Sequence, residues 1–224
     1  MPITRLTLDD INASPELTAR FRSPAVELLD GRVQHQPLSA AAQVECVVRI
    51  ASAFDHDAYG LRVGVRESVA APPHDLLRPE LLLLHPGATR CAPAPTPAAF
   101  VALALLAVDH VDAAQERLSR YAVAGVSEVW VVAIEDWVAA AYSAPSAGRY
   151  RRRSLLLPGE PCAPDALPWA RVVVLPRTRP SAQAASAARL QPASAASSSS
   201  ISKRSPATSM TSPGASRRLR RVSG

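Results

Sequence analysis

Two unbroken apolar runs, residues 81–84 and 100–108, limit what this chain can fold into more than any other feature. A strand with one wet face alternates polar and apolar residues, whereas a strand with no polar side chain needs cover on both faces. Neither run approaches the ~20 apolar residues that span a bilayer. Both therefore read as central strands of a sheet with a layer on either side.

The surrounding sequence supplies those layers. Thr7 followed by Asp9 and Asp10 is a helix start, and that short helix is expected to stop before Pro15. Residues 26–29 and 32–35 flank Asp30-Gly31, a pair suited to the positive φ angles of a type I′ hairpin turn. Ser39 is placed to cap a helix running to about Phe54, with Val44, Val47, Val48 and Ala51 as its apolar face. Residues 61–66 alternate as a half-exposed strand does, and a Pro-rich loop over 86–97 joins the two central strands. Asp112 and Gln115 approximate a capping box for a helix with Ala114, Leu118, Tyr121 and Ala122 as its stripe, closed by Gly125. Residues 128–134 and 137–142 read as strands joined at Glu135-Asp136, with weaker strands at 150–157 and 171–175. The expected architecture is α/β, a mixed β-sheet flanked by helices, over residues 1–180.

Beyond residue 180 the chain turns to Ser, Ala, Pro and Arg, too poor in large apolar groups to offset its ordering entropy, so a disordered tail is expected over 181–224. The net charge of +6 divides unevenly. Up to Pro180, 18 Arg oppose 19 acids for −1, while the tail holds six Arg, the sole lysine (Lys203) and no acid, for +7. The domain thus has no global basic signature for nucleic acid. Cys46, Cys91 and Cys162 match neither a disulfide framework nor a zinc spacing. With no apolar leader at the N-terminus and no membrane span, the expected setting is cytoplasmic.

Self-sufficient motifs are absent: no Walker A loop, no dinucleotide fingerprint, no His-Glu-x-x-His, no Gly-x-Ser-x-Gly. Asp55-His56-Asp57 and His74-Asp75 read as solvated loops rather than a metal site, and the arginines of 149–153 as an exposed strand edge guarded by charge. What remains is a layout of acids. Glu27 lies in the hairpin, Glu80 opens a buried strand after Pro79, and the next central strand leads into the helix carrying Arg117. Two acids converging at strand ends can hold a hard cation such as Mg²⁺, which in turn activates water and stabilises charge on a phosphate oxygen. An isolated glutamate on a strand is more commonly a surface or hydrogen-bonded residue.

Several segments, in order, resemble the Uma-two family of restriction-endonuclease-type proteins, a branch of the PD-(D/E)XK nuclease superfamily. They are Leu6-Thr7-Leu8-Asp9-Asp10, Val26-Glu27-Leu28-Leu29-Asp30-Gly31-Arg32, Arg78-Pro79-Glu80-Leu81, and the run from Arg117 through Tyr121-Ala122-Val123-Ala124-Gly125 to Glu128-Val129-Trp130-Val131-Val132. Gly159-Glu160 and Leu167-Pro168 extend the likeness, which covers residues 5–176. It implies a restriction-endonuclease-like sheet, metal-dependent phosphodiester hydrolysis with Mg²⁺ as cofactor, and DNA as partner; a homodimer is compatible with it.

By the same resemblance Glu27 and Glu80 are the metal ligands and catalytic acids, Glu80 replacing the aspartate of a Pro-Asp pair. Arg117 falls where the family has a helix lysine; it can clamp charge but not accept a proton. The family's strand carboxylate falls at Leu103 or Ala104 and its histidine near Ala42, and this chain matches neither. Asp109 and Asp112, just past the strand, are the nearest acids that could substitute. The expectation is an endonuclease-type domain with weak or absent cleavage. The alternatives are a catalytically dead binding module on the same fold, or nonspecific nucleic-acid binding through the tail.

Overall fold

The computed structural model describes residues 5–36, 39–54, 61–85 and 96–179. The tail, Cys91 and Asp55-His56-Asp57 lie outside the described residues. Along the chain run α1 (Leu8–Ala13), α2 (Pro15–Phe21), β1 (Val26–Leu29), β2 (Arg32–His35), α3 (Ala41–Phe54), β3 (Arg62–Val65), β4 (Val69–Ala71), β5 (Asp75–Leu77), β6 (Leu81–Leu84), β7 (Thr96–Pro97), β8 (Val101–Val108), α4 (Gln115–Val123), β9 (Glu128–Ala133), β10 (Val138–Ser146), β11 (Arg149–Leu156), β12 (Pro161–Cys162) and β13 (Val172–Val173).

Six strands form the main sheet in the order β11-β10-β9-β8-β6-β3, mixed because β8 and β9 pair in parallel and the others antiparallel. The two apolar runs become β6 and β8, adjacent at its centre. Their side chains alternate between two cores. Leu81, Leu83, Leu103 and Leu105 pack with Cys46, Val47, Ile50 and Phe54 of α3. Leu82, Leu84, Ala104 and Leu106 pack with Leu118 and Tyr121 of α4. Cover on both faces is what an unbroken apolar strand demands. β11, with its arginines exposed, is an outer strand of this sheet.

A second sheet, β2-β1-β5-β4-β7, was not legible in the sequence. Its strands β4 and β5 have three residues each, too few for a periodicity to register. The first helix stops before Pro15 as expected, at Ala13, but a second helix that the sequence reading did not foresee follows at once. Ser14 ends α1 and caps α2, whose first residue is Pro15, a position where the missing N–H is of no consequence. In α3 the expected face is partly wrong: Cys46, Val47, Ile50 and Phe54 are buried, while Val44 and Val48 are 48% and 57% exposed. The Asp112–Gln115 capping box does not form. Asp136, from the β9–β10 turn, accepts the Val111 N–H (2.8 Å) and starts a 3₁₀ turn over Val111–Ala114, so α4 begins after Ala114 without a side-chain cap.

The β1–β2 hairpin turns as expected, with Asp30 at φ 51° and Gly31 at φ 72°. Asp30 and Arg120 of α4 form an ion pair (2.8 Å), and Asp75 accepts the Asp30 N–H (2.7 Å). These contacts hold the hairpin against α4. His74 bonds the Leu6 carbonyl oxygen (2.9 Å) and Asp75 is buried, so His74-Asp75 is a structural lock rather than a solvated loop.

Candidate functional site

Alternation along β1 decides where Glu27 points. Val26 and Leu28 face a small cluster with Leu8, Ile11 and Phe21, whereas Leu29 faces the core beneath α4. Glu27 shares the side of Leu29 and is 2% exposed. Glu80, 6% exposed, is pinned by its backbone, donating to Leu105 O (3.0 Å) and accepting from Arg66 N (3.2 Å). Its Oε2 accepts the Ala107 N–H (3.1 Å).

Arg117, on the first turn of α4 and 11% exposed, reaches both acids. Its Nη1 lies 3.4 Å from Glu80 Oε1 and its Nε 3.9 Å from Glu27 Oε1; the latter is ion-pair range, beyond hydrogen-bond range. Its Nη2 donates to Arg78 O (2.5 Å). Arg78 is itself buried, with its fork on the carbonyls of Val26 (2.6 Å), Arg66 (3.2 Å) and Phe21, and its N–H on Glu27 Oε2 (3.4 Å). The three residues named from the sequence therefore meet in one buried cluster, with Arg117 reaching both acids.

Burial raises the Glu27 carboxyl above the ordinary glutamate range, against the lowering influence of Arg117, the Gln36 amide and the Arg78 N–H. Burial works against the Arg117 charge too, but Glu80 foremost, with Tyr121 and Glu27, raises its pKa, so the guanidinium stays protonated. The thiols of Cys46 and Cys162, pushed up to about 11 by burial, are poor nucleophiles near neutrality.

Sequence reasoning missed Arg66, Gln36 and Tyr121. Arg66 closes the alternating run 61–66 of the sequence but follows the end of β3. It adopts φ 51°, in the left-handed region, with its N–H on Glu80 O and its carbonyl on Arg78 Nη1. Its fork bonds Ser39 Oγ (3.0 Å) and Gln36 Oε1 (3.3 Å). Beside Arg66 and Glu80 opens a cleft of about 370 Å³ walled by Val44, Val47, Val48, Val63 and Val65. Val44 and Val48 thus line a cleft instead of a core.

Each carboxylate oxygen of Glu27 and Glu80 has a protein donor or ion-pair partner. No group of three or more His, Cys, Asp or Glu among those residues could hold a metal. Asp109 accepts from Gln43 Nε2 (2.8 Å) at the surface, and Asp112 lies exposed in the 3₁₀ turn. Ala104 faces the α4 side of the sheet with Tyr121, and Leu103 the opposite side. Mg²⁺ wants several free oxygen ligands. Two acids already engaged by an arginine and backbone amides do not fit it.

No family model and no curated protein matches the chain. Among solved structures it is similar to one from Anabaena variabilis ATCC 29413, described as a "putative nuclease belonging to DUF820". The TM-score is 0.54 at 15% identity, over 75% of this chain and 95% of that one. The two share a fold, in this chain a mixed α/β arrangement with few flanking helices. No helix among the described residues is long and apolar enough to cross a membrane.

Proposed function

We propose that this is a DNA-acting domain of restriction-endonuclease type, from the Uma-two branch of the PD-(D/E)XK superfamily, in which phosphodiester hydrolysis has been largely lost and substrate contact kept. One observation carries the reading: Glu27, Glu80 and Arg117, distant in sequence, converge in one buried cluster on a nuclease-like fold. In the ancestral reaction a divalent cation on the acids would activate water. Here Arg117 balances those acids and keeps its charge for a phosphate. The apolar Ala104 withholds the strand carboxylate, and a guanidinium cannot take the proton that a neutral lysine could. The unbridged thiols of Cys46 and Cys162 suit a cytoplasmic setting.

Plasmid incubated with the purified protein and Mg²⁺ or Mn²⁺ tests the loss, with Glu80→Ala as control. Little or no cleavage is expected, while DNA still binds to residues 1–180. Robust turnover abolished by the control would overturn the loss of hydrolysis. Absence of any DNA binding by residues 1–180 would overturn the reading as a whole.

A further inference from the structure

We infer that the outer strand β11 is an interface for the sugar-phosphate backbone of duplex DNA, formed by Arg149, Arg151 and Arg153 and separate from the Glu27–Glu80–Arg117 cluster. Three observations carry it.

The first is uncompensated charge. Residues 137–159 contain four arginines and no acid, in a domain whose net charge up to residue 180 is −1. All four arginines lie exposed on β11. Arg152 pairs with Asp165 (2.7 Å), whereas Arg149, Arg151 and Arg153 have no ion pair among the described residues. Like charges on alternate residues of a strand stand ~7 Å apart. That is inside the screening length of about 8 Å at physiological salt, so they repel until an anion settles among them.

The second is shape. β11 is an outer strand of the main sheet, and the stretch from Arg149 to Arg153 extends ~14 Å along it. A duplex carries one negative charge per ~1.7 Å of its axis, so a line of cations that long meets several phosphates at once. Other occupants of this edge are disfavoured by sign. A second copy of β11 would set arginine against arginine, and the tail of this chain has seven cations and no acid.

The third is position. The Arg153 guanidinium lies 5.8 Å over the Tyr142 ring, and Tyr142 packs against the core that holds Leu118 and Tyr121 of α4. Arg153 therefore stands on the α4 side of the sheet. Ser119 of α4 donates to Gly148 O (3.3 Å) at the β10–β11 turn, so the helix that carries Arg117 also braces this strand. From β6 to β11 are four strand spacings, ~19 Å, or about six base-pair steps of a duplex. One duplex can thus reach both places.

The inference takes its partner from the DNA reading above and adds a second surface to it. The full-length protein is titrated against a labelled duplex in EDTA across a KCl series, with fluorescence anisotropy as the readout. The comparison is with a full-length variant carrying Arg149→Thr, Arg151→Thr and Arg153→Thr. A charge-matched control carries Arg22→Ser, Arg171→Ser and Arg177→Ser, three exposed arginines away from β11. Removing three phosphate contacts is expected to make the log–log salt slope shallower by about 2.7. Raising KCl from about 50 to about 200 mM then weakens the wild type about 40-fold more than the β11 variant. The control is expected to keep the wild-type slope. If the triple variant does not fold, the three single Thr variants replace it, each expected to flatten the slope by about 0.9. Wild-type affinity and slope in the β11 variant overturn the inference and leave the DNA reading standing. An equal loss in the control overturns it too, because net charge alone would then account for the effect. A wild type that binds no duplex sinks both.

Discussion

Glu27 is buried where its charge is expensive, and its titration can be read as stability. Unfolded, it titrates near 4.5; folded, burial raises that value. At lower pH both states are protonated and the group contributes nothing. As pH rises from the ordinary value through the raised one, the unfolded chain releases its proton first, so native stability falls and then levels off. Glu27→Gln removes that loss. Its thermal midpoint relative to wild type should be more favourable at about pH 7.5 than at about pH 4; a difference running the other way refutes the assignment. Arg117→Met is the opposite case. It strands two buried carboxylates, and urea unfolding near neutrality should show a loss of about 3–5 kcal/mol. Adding Glu27→Gln and Glu80→Gln should recover most of it. Ala104→Glu, the shortest route toward the family pattern, places a carboxylate in the apolar core under α4 and should lower the midpoint markedly. Combined with Glu80→Asp and Arg117→Lys, it is the variant in which Mn²⁺-dependent plasmid cleavage is expected to reappear if any does.

The β1–β2 hairpin is the element that delivers Glu27 to the pocket, and its turn has one indispensable residue. A Cβ on Gly31 would stand 2.6 Å from Arg5 Cβ, at a φ of +72° that side chains rarely adopt. Gly31→Ala should therefore destabilise the domain by about 1–3 kcal/mol, measured by urea unfolding, and a neutral result would mean that the hairpin is not held this way. That turn was legible because Asp-Gly has a local mechanism, as were β6 and β8 because an unbroken apolar run needs two covered faces. The second sheet was not: three-residue strands leave no period, and their pairing is decided by distant partners such as Leu28 opposite Leu76. The α3 face was misassigned because Val44 and Val48 are apolar yet border a cleft. Glu27, Glu80 and Arg117 stood out from the layout of acids, but their roles came from resemblance, and nothing in a period-two run ending at Arg66 signals its left-handed turn toward Glu80.

At the scale of the whole chain the charge is divided, −1 before residue 181 and +7 after it. The two parts would hold nucleic acid by different physics. A tail of seven cations neutralises backbone phosphates and releases counterions, so its affinity for duplex DNA should fall with salt at a log–log slope of up to about −6. A pocket that grips one phosphate releases few ions and should give a shallow slope of about −1. Fluorescence anisotropy of a labelled duplex across a salt series, with the full chain and with residues 1–180, separates them. Truncation is expected to leave the thermal midpoint unchanged, since the removed segment has almost nothing apolar to bury. It should also flatten the slope while leaving weak binding. Identical slopes and affinities for the two proteins would rule out the tail as a binding element. A truncated protein with no affinity at all would place all the nucleic-acid contact in the tail.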